Sequence, residues 1–153
     1  MHTSLRVEVL PEPLSICRLP AGAAVPAWAM SAEPFCSVTR TPDELSIICA
    51  TARLPSDASP DAHDPARMAR EDGWLVLKLV GPFAFTEVGV LLRIAAPLAA
   101  AGVSILPIAT FETDYVLVPE VGLTTALAAL RAAGHVVVSR GDGAGRVDPP
   151  AIS

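Results

Sequence analysis

Lysine is almost missing from this chain of 153 residues: Lys78 stands alone beside ten scattered arginines, and 16 acidic residues leave a formal net charge of −5. Affinity for nucleic acid comes mainly from clustered Lys and Arg neutralising phosphates. A polybasic patch is also what draws a protein to an acidic membrane surface. Neither nucleic acid nor membrane is therefore an expected partner. Cysteine is scarce as well. Cys17, Cys36 and Cys49 are odd in number, form no C-x-x-C pair and lie in apolar settings. That excludes a disulfide scaffold and a zinc ribbon, and reads as buried thiols in a reducing cytoplasm. No long apolar segment follows a basic start, so no secretory signal is expected. The longest uncharged run, 94–111, contains Pro97, Gly102 and Pro107 and turns from Ala-rich to Val/Ile/Leu-rich at Gly102. It reads as a helix end, a stop and a strand, not a membrane span. His2, His63 and His135 have no second ligand four residues on, and no G-x-S-x-G or phosphate-loop motif occurs. No metal site, no cofactor and no catalytic constellation is expected.

What is present is apolar: 52% hydrophobic and 18% charged residues, too greasy a mixture for disorder. The length suits one ordinary domain or two small ones. The 15 prolines crowd outside the apolar runs, above all in 54–65, which reads as a linker. The expected organisation is 1–65 as a first module plus linker, 66–140 as a second module, and 141–153 as a flexible tail.

The second module is the clearer one. Residues 74–80 are strand-like. Residues 86–101 place Val90, Leu91, Ile94, Leu98 and Ala101 on a 3.6-residue period, with Thr86 as N-cap, Gly102 as stop, and Pro97 costing a kink or one hydrogen bond. Two strands, 104–110 and 114–118, flank a short polar hairpin, and a second helix spans 122–133 with Gly134 behind it. His135, which caps helix carbonyls in this reading, opens a last strand. The order β-α-β-β-α-β predicts an α+β, ferredoxin-like domain with an antiparallel sheet, one of whose faces or edges is covered by a second copy. The first half, with strands at 5–10, 14–19, 35–40 and 45–50, repeats the plan without its helices. Pro11-Glu12-Pro13 separates the first two strands.

Two acids stand in apolar surroundings. Glu87 opens the first helix, where a dipole-favoured acid is common. Asp114 opens a strand, where a turn-capping Asp is common.

The segments 42–47, 73–85 and 109–118, the last carrying T-x-x-T-D-Y-x-L-V as Thr110, Thr113, Asp114, Tyr115, Leu117 and Val118, resemble a family of small bacterial proteins built from two tandem ACT domains. The modules are also similar to the repeats of the eukaryotic cytosolic arginine sensor. The resemblance implies two tandem ACT-like domains, the first helix-poor, and side-by-side pairing in a homodimer. It implies a regulatory protein without catalytic activity that binds a small effector such as an amino acid, and acts on a separate protein. The ligand-binding positions it implies are Glu87, Gly89, Val90, Thr110, Phe111 and Asp114. Ser104 and Ile105 would come from the neighbouring module. In the sensor that pairing lies within one chain. Here the first half lacks the motif, so a second chain would supply it. The alternatives are an interaction dimer with no ligand, and a small acid–base enzyme using the two carboxylates.

Overall fold

The computed structural model describes residues 4–31, 33–56 and 67–140. Most of the proline-rich linker and the whole expected tail, 141–153, lie outside the described residues, as do His2 and His63. Seven strands are formed: β1 (Arg6–Pro20), β2 (Ser37–Arg40), β3 (Glu44–Ala50), β4 (Ala69–Leu79), β5 (Leu106–Ala109), β6 (Asp114–Pro119) and β7 (Val136–Ser139). Two α-helices follow the apolar periodicity, α1 (Val90–Ala100) and α2 (Leu123–Ala132).

All seven strands share one sheet, in the order β2-β3-β1-β4-β6-β5, with β7 paired to β1. The expectation of two separate antiparallel sheets is corrected here. Strands β1 and β4 are long enough to run through both halves of the chain. The C-terminal part of β1 pairs on one side with β3, which itself pairs with β2, and on the other with the N-terminal part of β4, giving the order β2-β3-β1-β4 that two split β-α-β units generate. At the other ends β1 pairs with β7, and β4 pairs with β6, which in turn pairs with β5. In that second half, Arg6–Val9 insert between β4 and β7, so β7 pairs in parallel with β1 and not with β4. The reason is apolar alternation. Leu5, Val7 and Val9 supply one buried row beside Leu77 and Leu79 of β4, beneath Ile94, Leu98, Ala126 and Leu130 of the two helices.

The Pro11-Glu12-Pro13 segment does not end a strand. It lies in a stretch of β1 where the register against β4 shifts between Leu10 and Leu14. On the other side of β1, β7 stops at Val9 and β3 begins at Leu14. Proline is tolerated there because no ladder partner asks for its missing N–H.

The sheet face away from α1 and α2 is covered within the same chain. Leu10, Leu14, Phe35, Ile48 and Ala50 pack with Val76 and Leu117, and Phe35 meets Tyr115 with ring centroids 4.9 Å apart. A second copy is therefore not needed for that face. A third cluster, Cys17, Leu45, Ile47 and Cys49, is covered by Ala29 and Trp28 of a single 3-10 turn, Ala27–Met30, which stands where a helix would. Burial pushes the Cys17 thiol up to about 12 and the Cys49 thiol up to about 11, so both are protonated hydrophobes.

Both α-helices end in paired hydrogen bonds. The Gly102 and Val103 N–H groups donate to Ala99 and Leu98, and those of Gly134 and His135 to Arg131 and Leu130. His135 does not cap these carbonyls, as its position suggested. Its Nδ1 accepts from the Leu5 N–H at 3.2 Å, and its Nε2 lies 3.0 Å from the Arg93 carbonyl oxygen in α1. Arg93 is four residues before Pro97, which has no N–H to give. Nε2–H thus donates to the one helix carbonyl that Pro97 deprives of a partner.

Candidate functional site

Helix α1 begins at Val90, not at Thr86, and Gly89 is its N-cap with φ +80. That left-handed conformation suits glycine alone at low cost, and it turns the chain out of the preceding loop into the helix axis. The loop carries its own turn, with the Glu87 N–H donating to Ala84 at 2.9 Å. Among the described residues no side chain caps the start of α1, which leaves its first-turn N–H groups open, as anion-binding helix starts require.

Opposite this helix start stands the β5–β6 hairpin. Its own turn is closed by the Thr110 N–H and hydroxyl, both donating to the Thr113 carbonyl at 2.9 Å. The Thr113 hydroxyl donates in turn to Leu79 at the end of β4. The Phe83 N–H donates to Glu112 at 2.9 Å. At Gly81 the backbones are so close that a Cβ would lie 2.9 Å from the Glu112 oxygen, so only glycine lets the loop meet the hairpin.

Between them lies a groove of about 300 Å3. Its walls are Phe83, Ala84, Phe85 and Glu87 from the loop, Gly89–Leu92 from the start of α1, and Ala109–Asp114 from the hairpin. Six of the eight positions expected from the sequence line it: Glu87, Gly89, Val90, Thr110, Phe111 and Asp114. Ser104 and Ile105 do not. Ser104 lines a different depression at the far end of α1, with Gly102 and Val121, and Ile105 packs against the helix-side core.

The two acids differ in their surroundings. Glu87 accepts from Arg93 Nη2 at 2.9 Å. The Asp114 side chain is half-buried and makes no hydrogen bond or ion pair among the described residues. At the mouth, Phe85 and Phe111 meet edge to face with centroids 5.0 Å apart, each 79% exposed. Arg93 and Phe85 were not singled out from the sequence. Arg93 is the one charge in the apolar run of α1, and Phe85 precedes the helix by only a few residues, so both left a faint signal. Among the described residues, no three of His, Cys, Asp and Glu gather to hold a metal ion. No helix there is long and apolar enough to cross a membrane.

A family model for the ACT domain matches residues 69–132, covering β4 through α2 and the whole groove. A structure from Agrobacterium tumefaciens is 36% identical with a TM-score of 0.78, over 90% of this chain and 95% of that one. Residues 69–132 form an ACT domain. A second family model, described as an N-terminal domain, matches residues 12–57. Subunit 1 of the human cytosolic arginine sensor for mTORC1 is 41% identical over 59 residues, 38% of this chain. The chain spans less than a fifth of the length of that relative, 18%. The regulatory subunit of aspartate kinase from Thermus thermophilus, in a ligand-free form, shares the fold of this ACT protein. Its TM-score is 0.56 at 16% identity, over 83% of this chain and 95% of that one.

Proposed function

We propose that this ACT protein is a non-catalytic regulatory module that binds a small molecule, an α-amino acid, in the groove at the entrance of α1. One observation carries this reading. An unengaged carboxylate, Asp114, and an uncapped helix N-terminus face the same groove of about 300 Å3. An α-amino acid presents an ammonium and a carboxylate on one carbon. Asp114 would take the first by a charge-assisted bond, and the N–H groups of the first turn of α1 the second. Phe111 and Phe85 would cover the ligand's aliphatic part. The arginine sensor and the kinase regulatory subunit among its relatives fit such a role.

The protein works as a homodimer in this reading, with two ACT-like modules per chain: the helix-poor first half, 1–65, and the second, 66–140. Strand β5 has a partner on one side only, β6, among the described residues. Antiparallel pairing of β5 with the β5 of a second copy, in the register that sets Leu106 of one opposite Ala109 of the other, completes the groove in this reading. Ser104 and Ile105 of the copy then fall beside Thr110 and Phe111, at the groove. The protonated buried thiols suit a reducing cytoplasm. In this reading the output passes through a separate protein or through sequestration of the ligand.

The test is a thermal-shift screen against the twenty amino acids, since a ligand that binds only the native state raises the melting temperature. Calorimetry follows with the ligand found. Asp114→Asn is expected to lose about 30-fold or more in affinity, the usual cost of removing one partner of a desolvated charge pair. Unchanged affinity removes Asp114 from the site. Sedimentation at micromolar concentration should show a dimer, and a 15.9 kDa species alone overturns the pairing.

A further inference from the structure

The two groove carboxylates are held in different ways. Arg93, its side chain only 19% exposed, donates to Glu87 at 2.9 Å. The guanidinium sets a cation against the Glu87 charge and gives its carboxylate a defined direction. Asp114, with no such engagement among the described residues, keeps its full attraction for a cation. Glu87 belongs to the loop before α1, whereas Arg93 belongs to α1 itself. The ion pair therefore ties the loop wall of the groove to the helix. That stretch of helix is anchored in turn, because the Arg93 carbonyl accepts from His135 ahead of β7.

We propose that Arg93 is a positioning residue: it acts through Glu87 to hold the 84–89 wall in place, and the ligand's cationic group is left to Asp114 as in the reading above. This deepens the binding role proposed above and rests on it. Glu87 then lines the groove without contacting the ligand's charge.

A direct ligand contact at Glu87 and a strap between Glu87 and Arg93 give opposite signs. With direct contact, Arg93→Gln frees the Glu87 charge and tightens an ammonium ligand. With a strap, Arg93→Gln loosens the wall and weakens binding. Reversing the pair, Glu87→Arg with Arg93→Glu, restores a strap but destroys a carboxylate contact.

The experiment uses the full chain and two readouts. Calorimetry is done with the amino acid that gives the largest thermal shift, and hydrogen–deuterium exchange of the 84–89 amides is followed without ligand. Arg93→Gln and Glu87→Gln should each weaken binding about fivefold, the order of one partly exposed ion pair, and speed exchange of the loop. The reversed pair should return both readouts toward wild type. If the reversed pair does not fold, Arg93→Lys, which keeps the cation, should retain most of the binding that Arg93→Gln loses. Tighter binding by Arg93→Gln overturns the proposal, as does a folded reversed pair that restores neither readout. If the wild type binds no amino acid, the binding role falls, while loop exchange in the same variants still decides the strap.

Discussion

His135 shows how one side chain can settle two backbone debts left by distant residues. Its Nδ1 accepts from the Leu5 N–H, and its Nε2–H donates to the Arg93 carbonyl that Pro97 leaves without a helical partner. His135→Leu keeps the bulk but strands both groups in a buried place. A loss of about 2–6 kcal/mol is expected in denaturant unfolding, given roughly 1–3 for each stranded polar group. In a Pro97→Ala background the helix supplies its own N–H to Arg93, so the same substitution should cost about 1 kcal/mol less. A double-mutant cycle reads that difference directly. Asp72, in the N-terminal part of β4 beside β1, makes a comparable claim. The Arg70 guanidinium bonded to it, at 3.0 and 2.6 Å, holds its carboxyl below the usual carboxylate range. Burial opposes this, and the Ser15 hydroxyl adds to it. A carboxyl depressed in the folded state stabilises above the unfolded value of about 3.9, and that stabilisation disappears as pH falls through the lower folded value. Asp72→Asn should therefore be less stable than wild type at pH 7. The difference should close as urea titrations are repeated from pH 4 downward, and a gap that persists at low pH would show that the carboxylate's charge is not responsible.

At the scale of elements, the helix-bearing half was legible and the sheet pairing was not. Apolar spacing located α1 and α2, and Gly102 and Gly134 marked both helix ends, because these signals are local. The start of α1 was misplaced by four residues because Thr86 resembles a cap, whereas the decisive feature is the loop's contact with a distant hairpin. Juxtaposition of Glu87 and Asp114 followed from the resemblance; composition and spacing left open which sheet ends they occupy. The Glu87–Arg93 pair went unread because a contact six residues apart matches no helical period. The hairpin's attachment to the loop depends on Gly81. Gly81→Ala brings a methyl group within 2.9 Å of a backbone oxygen that cannot rotate away, so the loop or hairpin must move. About 1–3 kcal/mol of stability should be lost, as in other overpacked sites. Amide chemical shifts should change on both sides of the groove, and changes confined to 81–83 would count against the attachment.

For the whole molecule, one strand decides that the halves stand together. The segment 66–140 contains both helices and the entire groove, yet β7 finds its ladder partner in Arg6–Val9, and Leu5, Val7 and Val9 fill the core beneath the helices. Expressed alone, 66–140 should lack a cooperative thermal transition by circular dichroism. Adding a peptide of residues 4–20 should restore one, and a sharp transition without the peptide would show that the insertion is dispensable. No local pattern announces this pairing, since its partners lie about 130 positions apart. The inserted strand also has a consequence in time. Chains grow on the ribosome from the N-terminus at roughly 5–20 residues per second. Arg6–Val9 therefore emerge first, while one wall of their slot, β7, is made among the last described residues. For several seconds an apolar strand waits with one neighbour unmade. Such long-range closure is slow and exposes surface to aggregation, so a nascent chain of this kind is a natural client for a chaperone that binds short extended apolar segments.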